Sequence, residues 1–290
     1  MLEAKAGGSI IVAFRRRFLS ERMPMLESFM SLCRMLLVAL LPVLACSAAS
    51  SSAAEAPERL YEMRVYYAAE GKLDALHARF RNHTMKLFAK HGMENLLYSV
   101  PVGDNPERKL VYFLSYPDRP ARDASWKAFS QDPAWKAAQA ESEQGGRLVA
   151  KAVETFLVPT DYSPAALVAT ADAAPRVFEL RTYIATPGNL PALNSRFRDH
   201  TLRLFAKHGI TNLIYWNLAP GQAGADSMLV YLLSHSSTEA AGNSFESFRK
   251  DPDWLEARTA SEKQAGGSLT VADKGVVSEF LVPTDYSPLK

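Results

Sequence analysis

A stretch of fourteen residues, Arg79-Phe80-Arg81-Asn82-His83-Thr84-Met85-Lys86-Leu87-Phe88-Ala89-Lys90-His91-Gly92, returns almost unchanged as Arg196-Phe197-Arg198-Asp199-His200-Thr201-Leu202-Arg203-Leu204-Phe205-Ala206-Lys207-His208-Gly209. A chain that repeats itself at this length must build the same unit twice, so any fold assigned to one half has to serve the other. The segments around the pair obey that requirement. Residues 60–67 (Leu-Tyr-Glu-Met-Arg-Val-Tyr-Tyr) and 177–184 (Val-Phe-Glu-Leu-Arg-Thr-Tyr-Ile) are rich in aromatic and β-branched residues and alternate with period two, the pattern of a strand. One face carries Tyr61, Met63 and Val65, matched by Phe178, Leu180 and Thr182; the other carries Glu62, Arg64 and Tyr66, matched by Glu179, Arg181 and Tyr183.

Gly71 and Pro187-Gly188 break these strands, and Leu73, Leu76, Phe80, Thr84 and Leu87, with Leu190, Leu193, Phe197, Thr201 and Leu204, then follow a helical period. The spacing predicts one amphipathic helix in each half, stopped by Gly92 or Gly209. Residues 93–100 and 109–116 read as a hairpin, as do residues 210–218 and 228–235. A second helical region spans residues 122–143 and 240–263, restarted in each half at Asp132-Pro133-Ala134-Trp135 and Asp251-Pro252-Asp253-Trp254, where Asp caps and Pro occupies the first helical position. Last strands at residues 153–158 and 277–282 each lead into the same tail, Pro-Thr-Asp-Tyr-Ser-Pro. The order βαββαβ, twice, is the split βαβ or ferredoxin-like motif of an α+β fold. Residues 58–164 form repeat one and 176–290 repeat two, joined by the Ala-rich linker 165–175. The offset between matching residues drifts from 117 at the histidines to 119 at the Asp-Pro-x-Trp motifs and 124 at the last strands, which puts the insertions in the hairpin loop and after the second helix.

Residues 1–56 read as a leader. After Arg34 an apolar run, residues 35–45, precedes the small-residue tract 46–54, the layout of a secretory signal too short to span a bilayer comfortably. Two cleavage readings stand. Val43-Leu44-Ala45-Cys46 resembles a lipobox, which would lipidate Cys46 and anchor the chain to a membrane facing the periplasm; cleavage near Ala54 would release a soluble periplasmic protein. Arg15-Arg16-Arg17 resembles a twin-arginine signal but is separated from the apolar run by acidic residues, and Met23, Met25 and Met30 are alternative starts. The leader holds both cysteines, Cys33 and Cys46, so the mature chain has no disulfide and no thiol chemistry. It also holds +3 of the total charge of +2, leaving −1 for residues 55–290 and no basic face to attract nucleic acid.

The Glu-x-Arg-x-Tyr strand, the helix ending in His-Gly and the Asp-Pro-x-Trp restart, all present twice and covering nearly the whole mature chain, resemble the NIPSNAP family. The resemblance implies a dimeric α+β barrel, in which two ferredoxin-like sheets close into one barrel with helices outside. Here both partners would come from one chain, an intrachain pseudo-dimer, with further oligomerisation left open. Relatives of this architecture use the cleft between helix and sheet for organic ligands and haem. No reaction comes with the resemblance.

For chemistry, Glu62, Arg64 and Tyr66, with Glu179, Arg181 and Tyr183, offer either a structural ion pair beneath the helices or a receptor for a carboxylate or other small anion. His83 and His200, toward the sheet side of the first helix, are candidate donors or proton carriers. His91 and His208, each before the terminal glycine, are further candidates, although a donor there is also favoured by the helix dipole. His83 and His91 lie about 12 Å apart along the helix, too far to chelate a metal, and no carboxylate cluster, phosphate loop or dinucleotide fingerprint calls for a metal or cofactor. Two functions are expected: a small-molecule binder or cofactor-independent enzyme using this cleft, or a non-catalytic module of the cell envelope whose cleft is filled by side chains.

Overall fold

The computed structural model describes residues 59–164 and 176–290; residues 1–58, with the expected leader and Cys46, and residues 165–175, the expected linker, lie outside the described residues. Repeat one runs β1 (Leu60–Ala68), α1 (Leu73–Arg79), α2 (Met85–Lys90), β2 (Glu94–Pro101), β3 (Lys109–Tyr116), α3 (Arg119–Gln131), α4 (Pro133–Ser142) and β4 (Val149–Pro159). Repeat two runs β5 (Val177–Ile184), α5 (Leu190–Arg196), α6 (Leu202–Lys207), β6 (Thr211–Leu218), β7 (Met228–His235), α7 (Thr238–Lys250), α8 (Pro252–Gln264) and β8 (Val276–Pro283).

The eight strands close into a barrel in the order β1-β3-β2-β8-β5-β7-β6-β4. Each half contributes an antiparallel four-stranded sheet, and the halves meet where β2 pairs β8 and β4 pairs β6. Period-two alternation divides the strand residues between two layers. Tyr61, Phe178, Leu180, Phe113 and Trp216 fill the barrel interior, with the Phe113 and Trp216 rings stacked at 5.4 Å. The opposite faces lie under the helices, where Phe80, Phe88 and Tyr112 form the core of one half and Phe197, Phe205 and Tyr231 that of the other. Each tail crosses to the other repeat: Arg81 takes Asp285 at 2.6 and 2.7 Å, Arg198 takes Asp161 at 2.9 and 2.6 Å, and Tyr286 and Tyr162 bond His77 and Asn194 on the opposing first helices, each at 2.7 Å. The repeats are thus joined by strand pairing, by a shared interior and by exchanged tails.

The first helix departs from the expected single α-helix. A π-turn interrupts it in both halves, at Phe80–Thr84 and at Phe197–Thr201, where the N–H of Met85 donates to the Phe80 carbonyl and that of Leu202 to Phe197. The threonine hydroxyls hold the turn open: Thr84 Oγ1 donates to the Arg79 carbonyl at 3.2 Å and Thr201 Oγ1 to Arg196 at 3.1 Å. One extra residue in the turn shifts the helical phase by about 100°, so the arginine before the turn and the phenylalanine that opens it share the buried face. Arg79 and Arg196 are accordingly buried.

Candidate functional site

The Glu-Arg-Tyr faces of β1 and β5 lie beneath the helices, where the two repeats use the same backbone for different chemistry. In repeat one the Glu62 carboxylate, fully buried, accepts from Arg64 Nη1 at 2.5 Å, Arg122 Nη2 at 2.8 Å, and Arg122 Nε, Tyr116 Oη and Trp126 Nε1, each at 3.0 Å. Arg64 also donates to Glu154 at 2.8 Å, and its guanidinium lies 4.3 Å from the centre of the Trp126 ring. Burial pushes the Glu62 carboxyl up, but the hydrogen bond from Arg122 and the charges of Arg64 and Arg122 outweigh it and hold the group below the ordinary glutamate value. Two arginines face two glutamates, so the charge of Arg64 is matched, although its Nε meets no acceptor.

Four of these partners change in repeat two. His235 stands where repeat one has Tyr116, Ala241 for Arg122, Phe245 for Trp126 and Ser278 for Glu154. Glu179 is still buried, now accepting from Arg181 Nη1 and Ser278 Oγ, each at 2.5 Å, and from His235 Nε2 at 3.0 Å. Burial again raises this carboxyl, and the bond from His235 with the charge of Arg181 overcomes it. Arg181 lies over the Phe245 ring at 4.6 Å and donates to Tyr183 Oη at 3.2 Å. The second arginine and second glutamate of repeat one are gone, and with them the side chains that fill the space.

Each repeat holds a cleft between its first helix, the sheet and its second helical region. That of repeat one measures about 190 Å³ and is lined by Tyr66, Arg79, Trp126, Trp135 and Glu143 among others. That of repeat two reaches about 310 Å³ and includes Arg181, Tyr183, Arg196, Arg249, Trp254, Arg258 and Glu262. Arg79 Nη1 donates to Glu143 Oε1 at 3.0 Å and to Ser142 Oγ at 3.3 Å. Its counterpart Arg196, only 6% exposed, has Glu262 Oε1 no nearer than 3.7 Å, and neither its Nε nor its Nη1 meets a hydrogen-bond acceptor. The cause is a neighbour: Glu262 accepts at 3.1 Å from Arg258, which occupies the position of the neutral Gln139 in repeat one. Burial lowers the Arg196 pKa, Glu262 offsets this only in part, and the nearby Arg258 charge adds to the lowering. Arg249, in place of Ser130, adds another cation at the cleft, exposed and with no hydrogen bond or ion pair among the described residues.

The structure separates the sequence candidates. Tyr66, Arg181 and Tyr183 line the clefts; Glu62 and Glu179 sit behind them as buried counter-charges, with Arg64 held between Glu62 and Glu154. His83 and His200 do not reach the sheet: they sit in the solvent-facing part of the π-turn, exposed, beside grooves between the helices, of which that at His200 measures about 360 Å³ and is also lined by Arg196. His91 and His208 are taken by structure, bonding through Nε2 to Asp132 at 2.7 Å and to Asp251 at 2.6 Å. Those aspartates also cap α4 and α8, accepting from Ala134 N at 2.8 Å and Asp253 N at 2.9 Å, so the His-Gly and Asp-Pro-x-Trp motifs are two ends of one contact. Their carboxyls are held well below the ordinary range, first by hydrogen bonds from Lys90 and Lys207, then by the histidines. Among the described residues no three His, Cys, Asp or Glu side chains gather around a metal-sized site. Arg79, Arg196, Arg122, Arg258 and His235 were not legible as site residues from periodicity; aligning the two repeats and marking where charge changes would have pointed to Arg122, His235 and Arg258.

The sequence profile of the NIPSNAP family matches residues 61–164 and again 178–288. Among solved structures, the chain is similar to an uncharacterised NIPSNAP domain protein from Burkholderia xenovorans, at 20% identity over 36% of this chain and 98% of that one, TM-score 0.32. It is also similar to a NIPSNAP family protein of unknown function from Agrobacterium tumefaciens, at 18% identity over 37% of this chain and 94% of that one, TM-score 0.33. A longer match, to a "putative monooxygenase" from Lactobacillus acidophilus, covers 78% of this chain and 94% of that one at 11% identity, TM-score 0.49. No curated protein matches the chain.

Proposed function

The chain belongs to the NIPSNAP family, and from that premise we propose that it binds a small organic anion, with the second repeat as the working site and the first as its architectural twin. The observation that carries this reading is Arg196, a buried guanidinium facing a cleft of about 310 Å³ with two of its nitrogens unbonded. A buried cation left short of acceptors is costly unless something completes its shell, and a carboxylate or phosphate oxygen fits the planar donor edge of arginine. Phe197, Phe205, Phe245, Phe248 and Trp254 supply apolar walls, so the group that carries the charge is expected to be flat and aromatic or otherwise apolar. Repeat one offers less, because Glu143 and Ser142 already take Nη1 of Arg79, leaving only its Nε without an acceptor, and the Glu62 network fills the neighbouring space. We also propose that the leader exports the chain, to the periplasm or to a membrane anchor at Cys46.

Calorimetric titration with 2-naphthoate, and with the neutral 2-naphthalenemethanol as its control, tests the reading. One saturable site per chain is expected, favouring the acid by at least about tenfold, roughly 1.4 kcal/mol, and lost in Arg196→Met but kept in Arg79→Met. Equal binding of acid and alcohol, or indifference to Arg196→Met, would overturn it.

A further inference from the structure

We infer that the natural ligand of the second-repeat cleft carries two negative charges at separate ends of its skeleton, a dicarboxylate or a similarly divided dianion; this deepens the reading of that cleft as an anion site and rests on it. The argument is a charge count made against an internal control. Among the cleft residues Arg181 is already matched by Glu179, which lies directly behind it at 2.5 Å. That leaves Arg196, Arg249 and Arg258 facing one carboxylate, Glu262, an excess of two positive charges. The cleft of repeat one, built on the same backbone, sets Arg79 and Arg147 against Glu143, an excess of one. The difference comes from three positions: Arg249 and Arg258 replace Ser130 and Gln139, and Ser268 replaces Arg147.

The cations are also divided in space. Arg196 is buried at the end of α5, whereas Arg249 lies exposed in the last turn of α7 and Arg258 is more than half exposed on α8. Trp254, Arg258 and Glu262 succeed one another at four-residue spacing, so they share one face of α8 at steps of about 6 Å along its axis. A single anionic group on Arg196 would leave Arg249 without an ion pair among the described residues and Arg258 with only its share of Glu262. A rigid ligand lying along the aromatic wall would put one anion on Arg196 and a second between Arg249 and Arg258.

Three probes with one ring system separate the alternatives: 2-naphthoate, with a single charge; 2-naphthyl phosphate, with two charges on one group; and 2,6-naphthalenedicarboxylate, with two charges at opposite ends. Titrated into the full chain, the dicarboxylate should bind at least about tenfold more tightly than the monocarboxylate and more tightly than the phosphate ester. Arg249→Ser, which installs the residue of repeat one on an exposed helix position and leaves the Arg258–Glu262 pair in place, should erase most of that advantage while leaving the 2-naphthoate affinity within about threefold. A dicarboxylate no tighter than 2-naphthoate overturns the inference while the anion site stands. A phosphate ester that binds tightest, or an advantage that survives Arg249→Ser in full, also overturns it. Failure of all three probes to bind removes the anion site itself, and this inference with it.

Discussion

Arg79→Met and Arg196→Met remove the same side chain from the same helical position in two copies of one fold, yet the structure assigns them different costs. Arg79 gives a charge-assisted hydrogen bond to Glu143 at 3.0 Å and a weaker one to Ser142, and lies over Trp135 at 5.2 Å. Hydrogen bonds to charged groups contribute roughly 1.5–3 kcal/mol, and partial exposure of Glu143 discounts that toward the lower end, so Arg79→Met is expected to cost about 2 kcal/mol. Arg196 keeps the ring contact, over Trp254 at 5.3 Å, but not the hydrogen bond. Its attraction to Glu262 at 3.7 Å is roughly 4 kcal/mol at an effective dielectric of about 20, and is shared with Arg258. Desolvating a buried cation costs several kcal/mol, about the same size with opposite sign, and methionine keeps much of the packing. Arg196→Met should therefore change stability by no more than about 1 kcal/mol in either direction. Urea unfolding of both variants at neutral pH, followed by circular dichroism, reads the difference directly. A loss in Arg196→Met equal to or larger than that in Arg79→Met would refute the reasoning, since it would mean that Arg196 is satisfied within the chain and has no need of a ligand.

The same contrast extends one strand inward: Arg181→Met leaves Glu179 buried with only His235 and Ser278 and should cost about 3–5 kcal/mol, whereas Arg64→Met leaves Glu62 with Arg122, Tyr116 and Trp126 and should cost about 1–2 kcal/mol, measured by the same unfolding curves. Equal losses would contradict it. Asp132 and Asp251 have folded-state pKa values depressed below the unfolded value, so their contribution is fully present above about pH 4 and is lost as pH falls below it. The stability gap between the wild type and the Asp132→Asn, Asp251→Asn double variant should accordingly narrow on acidification below that point, and a gap that stays constant would be evidence against the assignment. Fusing residues 30–56 to a reporter active only outside the cytoplasm should give signal, with Cys46→Ser changing membrane retention only under the lipobox reading; a reporter left inside with its leader uncut would count against both cleavage readings.

The architecture was legible because it rests on patterns that hydrophobic burial enforces. Alternation along residues 60–67 and 177–184 has only one physical solution when one face fills a barrel and the other lies under helices, and the duplication supplied the second sheet that each half needs. The site was less legible for three reasons. The π-turn breaks the assumed helical period, and with the regular phase Arg79 and Arg196 fall outside the apolar face; a repeated threonine five residues after a repeated arginine is the local trace of that turn. The histidines drew attention by residue type, yet His91 and His208 serve the Asp132 and Asp251 caps, a contact between segments about forty residues apart that no periodicity reports. Finally, Glu154 and Ser278 occupy matching places on β4 and β8, and only the register that sets them beside Arg64 and Arg181 shows why exchanging one for the other alters the site.

The most direct test is a crystal structure of the chain with saturating 2-naphthoate. The carboxylate is expected on the Nε edge of Arg196 in the second-repeat cleft, its ring system against Phe248 and Trp254, and the first-repeat cleft unoccupied. An empty second-repeat cleft, a carboxylate turned to solvent, or equal occupancy of both clefts would contradict the account.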